Sequence, residues 1–217
     1  MKKTGLIFLI FCASAHIFHA QAQPDGAELI IEFSKRMQTY QTISADITFT
    51  LENLQEGFTD SHEGEFLLKG KKYFLNLMGM EVFFNGTTKW QFIPDANEVT
   101  ISSALPDEEA SFLDDPTLIF RDYEENFKKR FMGERQERGI ALYEVDLYPE
   151  DLSVPYSIIK ITFVKNTYEP KSVRYQGKDG INYIIDIKNF KSNIPANDQK
   201  FNFDVSKHRG IEVIDLR

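Results

Sequence analysis

Residues 66–93 read FLLKGKKYFLNLMGMEVFFNGTTKWQFI, and the punctuation of this stretch decides the fold. Short runs rich in apolar residues, 66–69, 73–78, 81–84 and 89–93, are separated by Gly70, Gly79 and Asn85-Gly86. Such runs are too brief for helices, while glycine or Asn-Gly at each break supplies the positive φ that tight hairpins require. The stretch therefore predicts consecutive antiparallel strands and not units in which helices connect parallel strands.

The same chemistry continues on both sides. Residues 98–101 add a strand after a Pro94-Asp95 turn. Upstream, Ala45, Ile47, Phe49 and Leu51 alternate with Asp46, Thr48, Thr50 and Glu52, the two-residue period of a strand with one dry face, and Glu56-Gly57 marks its turn. Before it, Asp25 is placed as an N-cap, and Leu29, Ile30, Phe33, Met37 and Tyr40 recur at helical spacing, which predicts an amphipathic helix ending near Tyr40. Downstream, strands resume at 141–148, 157–165, 171–176 and 182–190, with Lys178-Asp179-Gly180 as a hairpin turn, and short strands are expected at 201–203 and 211–215. Between the two series, residues 105–130 carry two prolines, the acids Asp107, Glu108, Glu109, Asp114 and Asp115, and a stripe of Leu118, Ile119, Tyr123 and Phe127. That segment predicts a loop and helix laid across the sheet. About eleven strands in one chain curl under their own twist. The fold class is mainly β (α+β): an incomplete antiparallel β-barrel covered by an N-terminal helix and an inserted helical lid.

The chain has 217 residues, with 25 Lys and Arg against 33 Asp and Glu, a formal charge of −8. An acidic surface excludes a nucleic-acid groove, which needs clustered Lys and Arg. Lys2 and Lys3 precede an apolar run, and Ala20-Gln21-Ala22 offers a signal-peptidase site, so residues 1–22 read as a signal peptide and 23–217 as a single domain. Loss of the leader, with its two lysines, takes the formal charge to −10 and removes Cys12, the sole cysteine, which excludes thiol catalysis and thiolate metal sites in the remainder. The expected location is the periplasm.

Catalytic and metal readings find no support. His62 and His208 lie far apart; Asp60, His62, Glu63 and Glu65 form an acidic group where a solvated hairpin loop is expected. The acids between Asp107 and Asp115 lack the spacing of a calcium loop. Gly64 to Gly70-Lys71-Lys72 misses phosphate-loop spacing, with Lys72 where Ser or Thr would hold magnesium. No Gly-x-Ser-x-Gly elbow occurs, and Ser206 near His208 lacks an orienting acid. The expectation is a protein that is not an enzyme and uses no cofactor or metal. The 19 Phe, 9 Tyr and 1 Trp point instead to a large apolar face, since several strands place them on both sides.

Residues 85–100, NGTTKWQFIPDANEVT, resemble the hairpin of the LolA family of periplasmic lipoprotein carriers, in which an Asp/Asn-Gly turn precedes an aromatic pair, a Pro and a Val-Thr strand. Gly86, Trp90, Phe92, Pro94 and Thr100 carry the spacing, and the likeness extends through 43–51, 64–77, 159–180 and the C-terminal 201–213. The resemblance implies a half-barrel that shields lipoprotein acyl chains between membranes. Its implied partners are acylated lipoproteins, an inner-membrane ABC lipoprotein exporter and an outer-membrane acceptor, with the carrier a monomer. The cavity residues it suggests are Phe49, Leu51, Phe66, Leu68, Tyr73, Leu75, Leu77, Val82, Phe84, Trp90 and Phe92, under a lid of Leu105, Phe112, Leu113, Leu118 and Ile119. Family members commonly carry Arg-Pro after the second strand, the Arg holding the empty state shut; here Lys69-Gly70-Lys71 stands there, so Lys69 or Lys71 is the candidate lock, without guanidinium's planar fork. Two other readings remain: a lipid- or peptide-sensing regulatory module built on the same half-barrel, and an envelope hydrolase using Glu63 and Glu65.

Overall fold

The computed structural model describes residues 23–103, 116–120 and 123–217. Residues 1–22, read above as a signal peptide, Leu105, Phe112, Leu113 and the acids from Asp107 to Asp115 lie outside the described residues.

Helix α1 (Gly26–Gln38) starts where expected: the Asp25 carboxylate accepts a hydrogen bond from the Ala27 backbone N–H at 2.9 Å, and Lys35 and Arg36 sit in the last turn. Leu29, Ile30, Phe33 and Met37 form its buried stripe. A Cβ on Gly26 would lie 2.7 Å from the Phe131 backbone nitrogen, so glycine lets the helix start rest directly on a strand backbone.

The strands are β1 (Thr42–Asn53), β2 (Phe58–Lys69), β3 (Lys72–Leu77), β4 (Met80–Phe84), β5 (Thr88–Ile93), β6 (Glu98–Ser103), β7 (Phe127–Glu137), β8 (Ile140–Pro149), β9 (Tyr156–Val164), β10 (Pro170–Gly177), β11 (Ile181–Ser192) and β12 (Glu212–Asp215). They form one sheet in the order β12-β6-β5-β4-β3-β2-β1-β11-β10-β9-β8-β7, with β12 and β7 as unjoined edges, so the sheet is open. Neighbours are antiparallel except β12, which lies parallel to β6.

Three sequence expectations are corrected. Residues 116–120 form one 3₁₀ turn, and Phe127, expected on a helix, opens β7. This strand escaped notice because FKKRFMGERQE alternates charges with few apolar residues; it is an edge, protected by Lys128, Arg130 and a register shift at Phe131/Gly133. Residues 201–203 were expected as a strand, yet Phe201 ends a 3₁₀ turn (Asp198–Phe201) and this segment joins no ladder.

The strand order dictates two crossings. Strands β1 to β6 step outward to one edge, whereas β7 begins at the opposite edge and β7 to β11 step back to β1. The link from β6 to β7 must therefore traverse the sheet, and its turn at Pro116–Phe120 packs on the face that carries α1: Phe120 and Phe66 rings lie 5.6 Å apart. The chain after β11 returns over the opposite face to reach β12 beside β6, packing Phe203 on Phe83 and Phe92 at 5.6 and 4.9 Å. We call the first face concave and the second convex.

Candidate functional site

Residues paired across neighbouring strands point to the same face, so register assembles the concave face row by row. One row runs Ala45, Phe66, Leu75, Val82 from β1 to β4, and its neighbour runs Ile43, Leu68, Tyr73, Phe84. On the other half, Phe49 continues into Ile185, Val173, Ile161, Val145 and Phe131 on β11 to β7. The rows merge into one apolar cluster reaching from β7 to β4, which also holds Leu29, Ile30, Phe33 and Met37 of α1 and Ile119 and Phe120 of the crossing turn. A Cβ on Gly64 would lie 2.6 Å from the Asn76 carbonyl oxygen and 2.8 Å from Leu77 Cδ1; its absence lets Leu77 fill that place in the floor.

The structure brings Phe49, Phe66, Leu68, Tyr73, Leu75, Leu77, Val82 and Phe84 together, all buried in this cluster. Leu51 lies in the same column of β1, paired with Tyr183 and partly buried. Trp90 and Phe92 are not part of that face. Register pairs Trp90 with Phe83 and Phe92 with Glu81, on the convex side, where Phe92, Val99 and Phe203 form a second cluster packed by Phe83 and Trp90. The imidazole of His208 stacks there too, 4.5 Å from the Phe203 ring centroid and 4.6 Å from that of Phe92. Two apolar faces exist, and in β5 the aromatic pair serves the convex one.

Of the covering residues, Ile119 is fully buried against the floor and Leu118 is partly exposed on the same turn. Lys69 is engaged elsewhere: its Nζ donates to the Ala196 carbonyl at 3.0 Å and to Asp198 at 2.7 Å, and Lys72 donates to the other Asp198 oxygen at 2.7 Å. This fork fastens the C-terminal crossing and pulls the Asp198 carboxyl down to about 2. Lys71 is exposed at the hairpin tip. Neither lysine's place matches a lock on the described part of the concave crossing.

Sequence reasoning missed the contribution of β7 to β11. Their inward residues alternate with Lys160, Arg174 and Asp186, a pattern that identifies strands but not which face they share with β1. Tyr123, just after the crossing turn, and Tyr175 add a polar contact on this face, hydroxyl to hydroxyl at 3.3 Å; desolvation pushes the Tyr175 phenol up to about 12.

The acidic group on β2 is strand, not loop. Asp60 and His62 pair at 2.9 Å in the column that faces Leu51 and Phe49, whereas Glu63 and Glu65 face outward, Glu63 accepting from Lys188 at 3.2 Å and from Thr48 at 3.0 Å. The hydrogen bonds donated by Thr48 and Lys188 lower the Glu63 carboxyl, the opposite of what a general acid needs. Among the described residues no three His, Cys, Asp or Glu converge as metal ligands, and no helix is long and apolar enough to cross a membrane.

A family model described as "Outer membrane lipoprotein carrier protein LolA" matches residues 38–204. Among solved structures, an uncharacterized conserved protein from Thermus thermophilus shares the fold at a TM-score of 0.58 and 9% identity, covering 88% of this chain and 99% of that one. A DUF1329 family protein from Desulfovibrio piger is similar at 0.48 and 14% identity, covering 85% and 98%. A LolA superfamily protein from Nitrosomonas europaea is similar at 0.43 and 12% identity, covering 83% and 99%. No curated protein matches the sequence.

Proposed function

Because the chain belongs to the LolA family, we propose that it is a periplasmic carrier that shelters the acyl chains of lipoproteins on its concave face and ferries them from the inner to the outer membrane. In this reading it accepts cargo from an inner-membrane ABC lipoprotein exporter and yields it to an outer-membrane acceptor. The observation that carries the reading is the concave floor: apolar rows continuous from β7 to β4, overlaid near Phe66 by a turn that belongs to no ladder. A protein needing only a core could close that floor with a regular layer. Here the part of the cover at Pro116–Phe120 is a five-residue turn held to β2 and β3 by side chains.

The energetics require such a container. At about 0.8 kcal/mol per methylene removed from water, one long acyl chain represents on the order of 10 kcal/mol, too much to cross an aqueous space exposed. The side chains of the floor are covered in the structure, so an acyl chain enters by displacing Ile119 and Phe120 and taking over their contacts.

The test is mass spectrometry of lipids and lipoproteins that co-purify with the protein from the periplasm, paired with lipoprotein release from spheroplasts. Parent protein should carry diacylated or triacylated polypeptides and release them; Leu75→Glu, which sets a carboxylate into a fully buried floor position, should do neither. Absence of acylated species from folded parent protein would refute the carrier role.

A further inference from the structure

The hydrocarbon of the concave floor stops at one strand. Register aligns Ile43, Leu68, Tyr73 and Phe84 in a single row, and the next member, on β5, is Lys89, followed by Ser102 on β6. The adjacent row repeats the change: Ala45, Phe66, Leu75 and Val82 give way to Gln91 and then Thr100. Both rows thus pass from alkyl and aromatic groups to hydrogen-bonding groups at β5, because β5 and β6 spend their apolar residues on the convex cluster beneath Phe203. Lys89 is only 5% exposed, so the row ends in a buried ammonium.

A buried cation is expensive unless anionic or polar oxygens surround it, and a fold seeking packing alone would place an alkyl group there. Lys89 is engaged within the structure as it stands, so a ligand's oxygens would exchange for that engagement. The geometry points to a polar terminus for the acyl site: Lys89, flanked by Gln91, Thr100 and Ser102, binds the anionic oxygens at the head of an acyl ligand whose chain lies along the rows toward β1. This inference rests on the acyl-binding floor of the carrier reading and extends it to a second ligand class, because the ester- and amide-linked chains of a lipoprotein end in neutral carbonyls and a free fatty acid or phospholipid brings the anionic oxygens. From Lys89 to Ile43 there are four interstrand steps of about 4.8 Å, a run of about 19 Å for the chain. The ammonium is a compact point charge, suited equally to a carboxylate, as in a fatty acid, and to a phosphate, as in a phospholipid.

The experiment displaces an uncharged fluorescent alkyl probe from the purified protein with laurate, dodecanol or a lysophosphatidylglycerol, each below its micellar concentration. An anionic ligand should bind at least about tenfold more tightly than dodecanol, the difference one charge-assisted hydrogen bond supplies. Lys89→Met, which keeps an unbranched side chain one atom shorter and removes the charge, should erase that preference while changing dodecanol affinity by less than about twofold, and Lys89→Arg should retain it. The stronger of laurate and lysophosphatidylglycerol identifies carboxylate or phosphate as the source. Equal affinity of parent protein for all three, or equal weakening of all three by Lys89→Met, overturns the polar terminus and leaves the carrier reading standing. Failure of every ligand to displace the probe would count against the carrier reading instead. Should Lys89→Met not fold, Gln91→Leu serves: a reduced anionic preference supports the proposal, and an unchanged one overturns it.

Discussion

Truncating Phe120 should make the protein bind acyl chains more tightly while making it less stable. The ring is buried on the crossing turn and meets Phe66 edge-on at 5.6 Å. Removing a buried phenylalanine ring costs about 3–5 kcal/mol, and here the loss falls on the form in which the turn is seated on the floor. In the carrier reading an acyl chain competes with that form, because it would use the surface that Phe120 and Ile119 cover. At about 1.4 kcal/mol per decade, about 3 kcal/mol taken from the seated form raises the accessible population, and lowers the apparent Kd, by up to about 100-fold. The assay is titration of Phe120→Ala and parent protein with a fluorescent acyl probe, alongside thermal unfolding. The control is Phe203→Ala, a buried aromatic on the opposite face, which should destabilise the fold yet leave the Kd unchanged within about twofold. Phe120→Ala that stays folded and binds the probe no more tightly than parent would refute the competition between turn and ligand. A rise in affinity shared by Phe203→Ala would refute its localisation.

Other outcomes follow from the same geometry. Trp90 lies in the convex cluster with Phe203, so Phe203→Ala should red-shift its emission, whereas acyl ligand should change it little; a large ligand-induced change would place ligand against the convex face. Asp198, held by Lys69 and Lys72 at about 2 against an ordinary 3.8, adds stability that is complete above pH 3.8 and lost as pH falls toward 2. Proteolysis of the C-terminal crossing should therefore rise across that window, and Asp198→Asn should abolish the pH dependence. Desolvation raises Tyr175 from 10.0 to about 12, so its neutral form contributes stability that is whole below pH 10.0 and fades toward 12. Phenolate absorbance should show Tyr175 titrating in that late range, and Tyr175→Phe should reduce the late amplitude by one tyrosine. Gly64→Ala should destabilise by about 1–3 kcal/mol in chemical denaturation, since the new methyl meets the Asn76 carbonyl oxygen at 2.6 Å.

The strands that the sequence made legible are those with a glycine or Asn-Gly break at one end or both and a dry face of their own. β1, β3 and β4 are of this kind, and Phe49, Tyr73, Leu75, Leu77, Val82 and Phe84 on them share one buried cluster. β7 was illegible because an edge strand is marked by charge and a bulge, the same features that signal a solvated helix or loop. The far half of β2 was read as a loop because residues 58–63 carry few apolar side chains; its strand conformation comes from pairing with β1 out to Asn53 and Phe58. β5 misled in a different way. Alternation gives two faces, Lys89 with Gln91 and Trp90 with Phe92, and the aromatic pair looks like the floor. What covers that pair, Phe203 and His208, arrives from the C-terminal crossing, a contact that no local pattern announces.

Among the described residues the two crossings are fastened differently, the convex one adding ion pairs and a strand ladder to its Phe203 packing, and in the carrier reading that difference bears on how cargo is released. The convex crossing is tied by the Lys69 and Lys72 fork on Asp198, by Thr42 Oγ1 donating to the Ile194 carbonyl at 2.7 Å, and by the β12 ladder at its end. No hydrocarbon can substitute for those partners without leaving charges and backbone groups unsatisfied. The concave turn is seated on Phe66 by Phe120 and within the floor by Ile119, contacts between apolar surfaces. An acyl chain offers the floor the same kind of surface, so exchanging turn for chain conserves buried apolar area and leaves only a small net free energy in either direction. A carrier needs that balance: cargo bound by contacts the protein can re-form with its own side chains is cargo it can give up when a deeper apolar acceptor is presented.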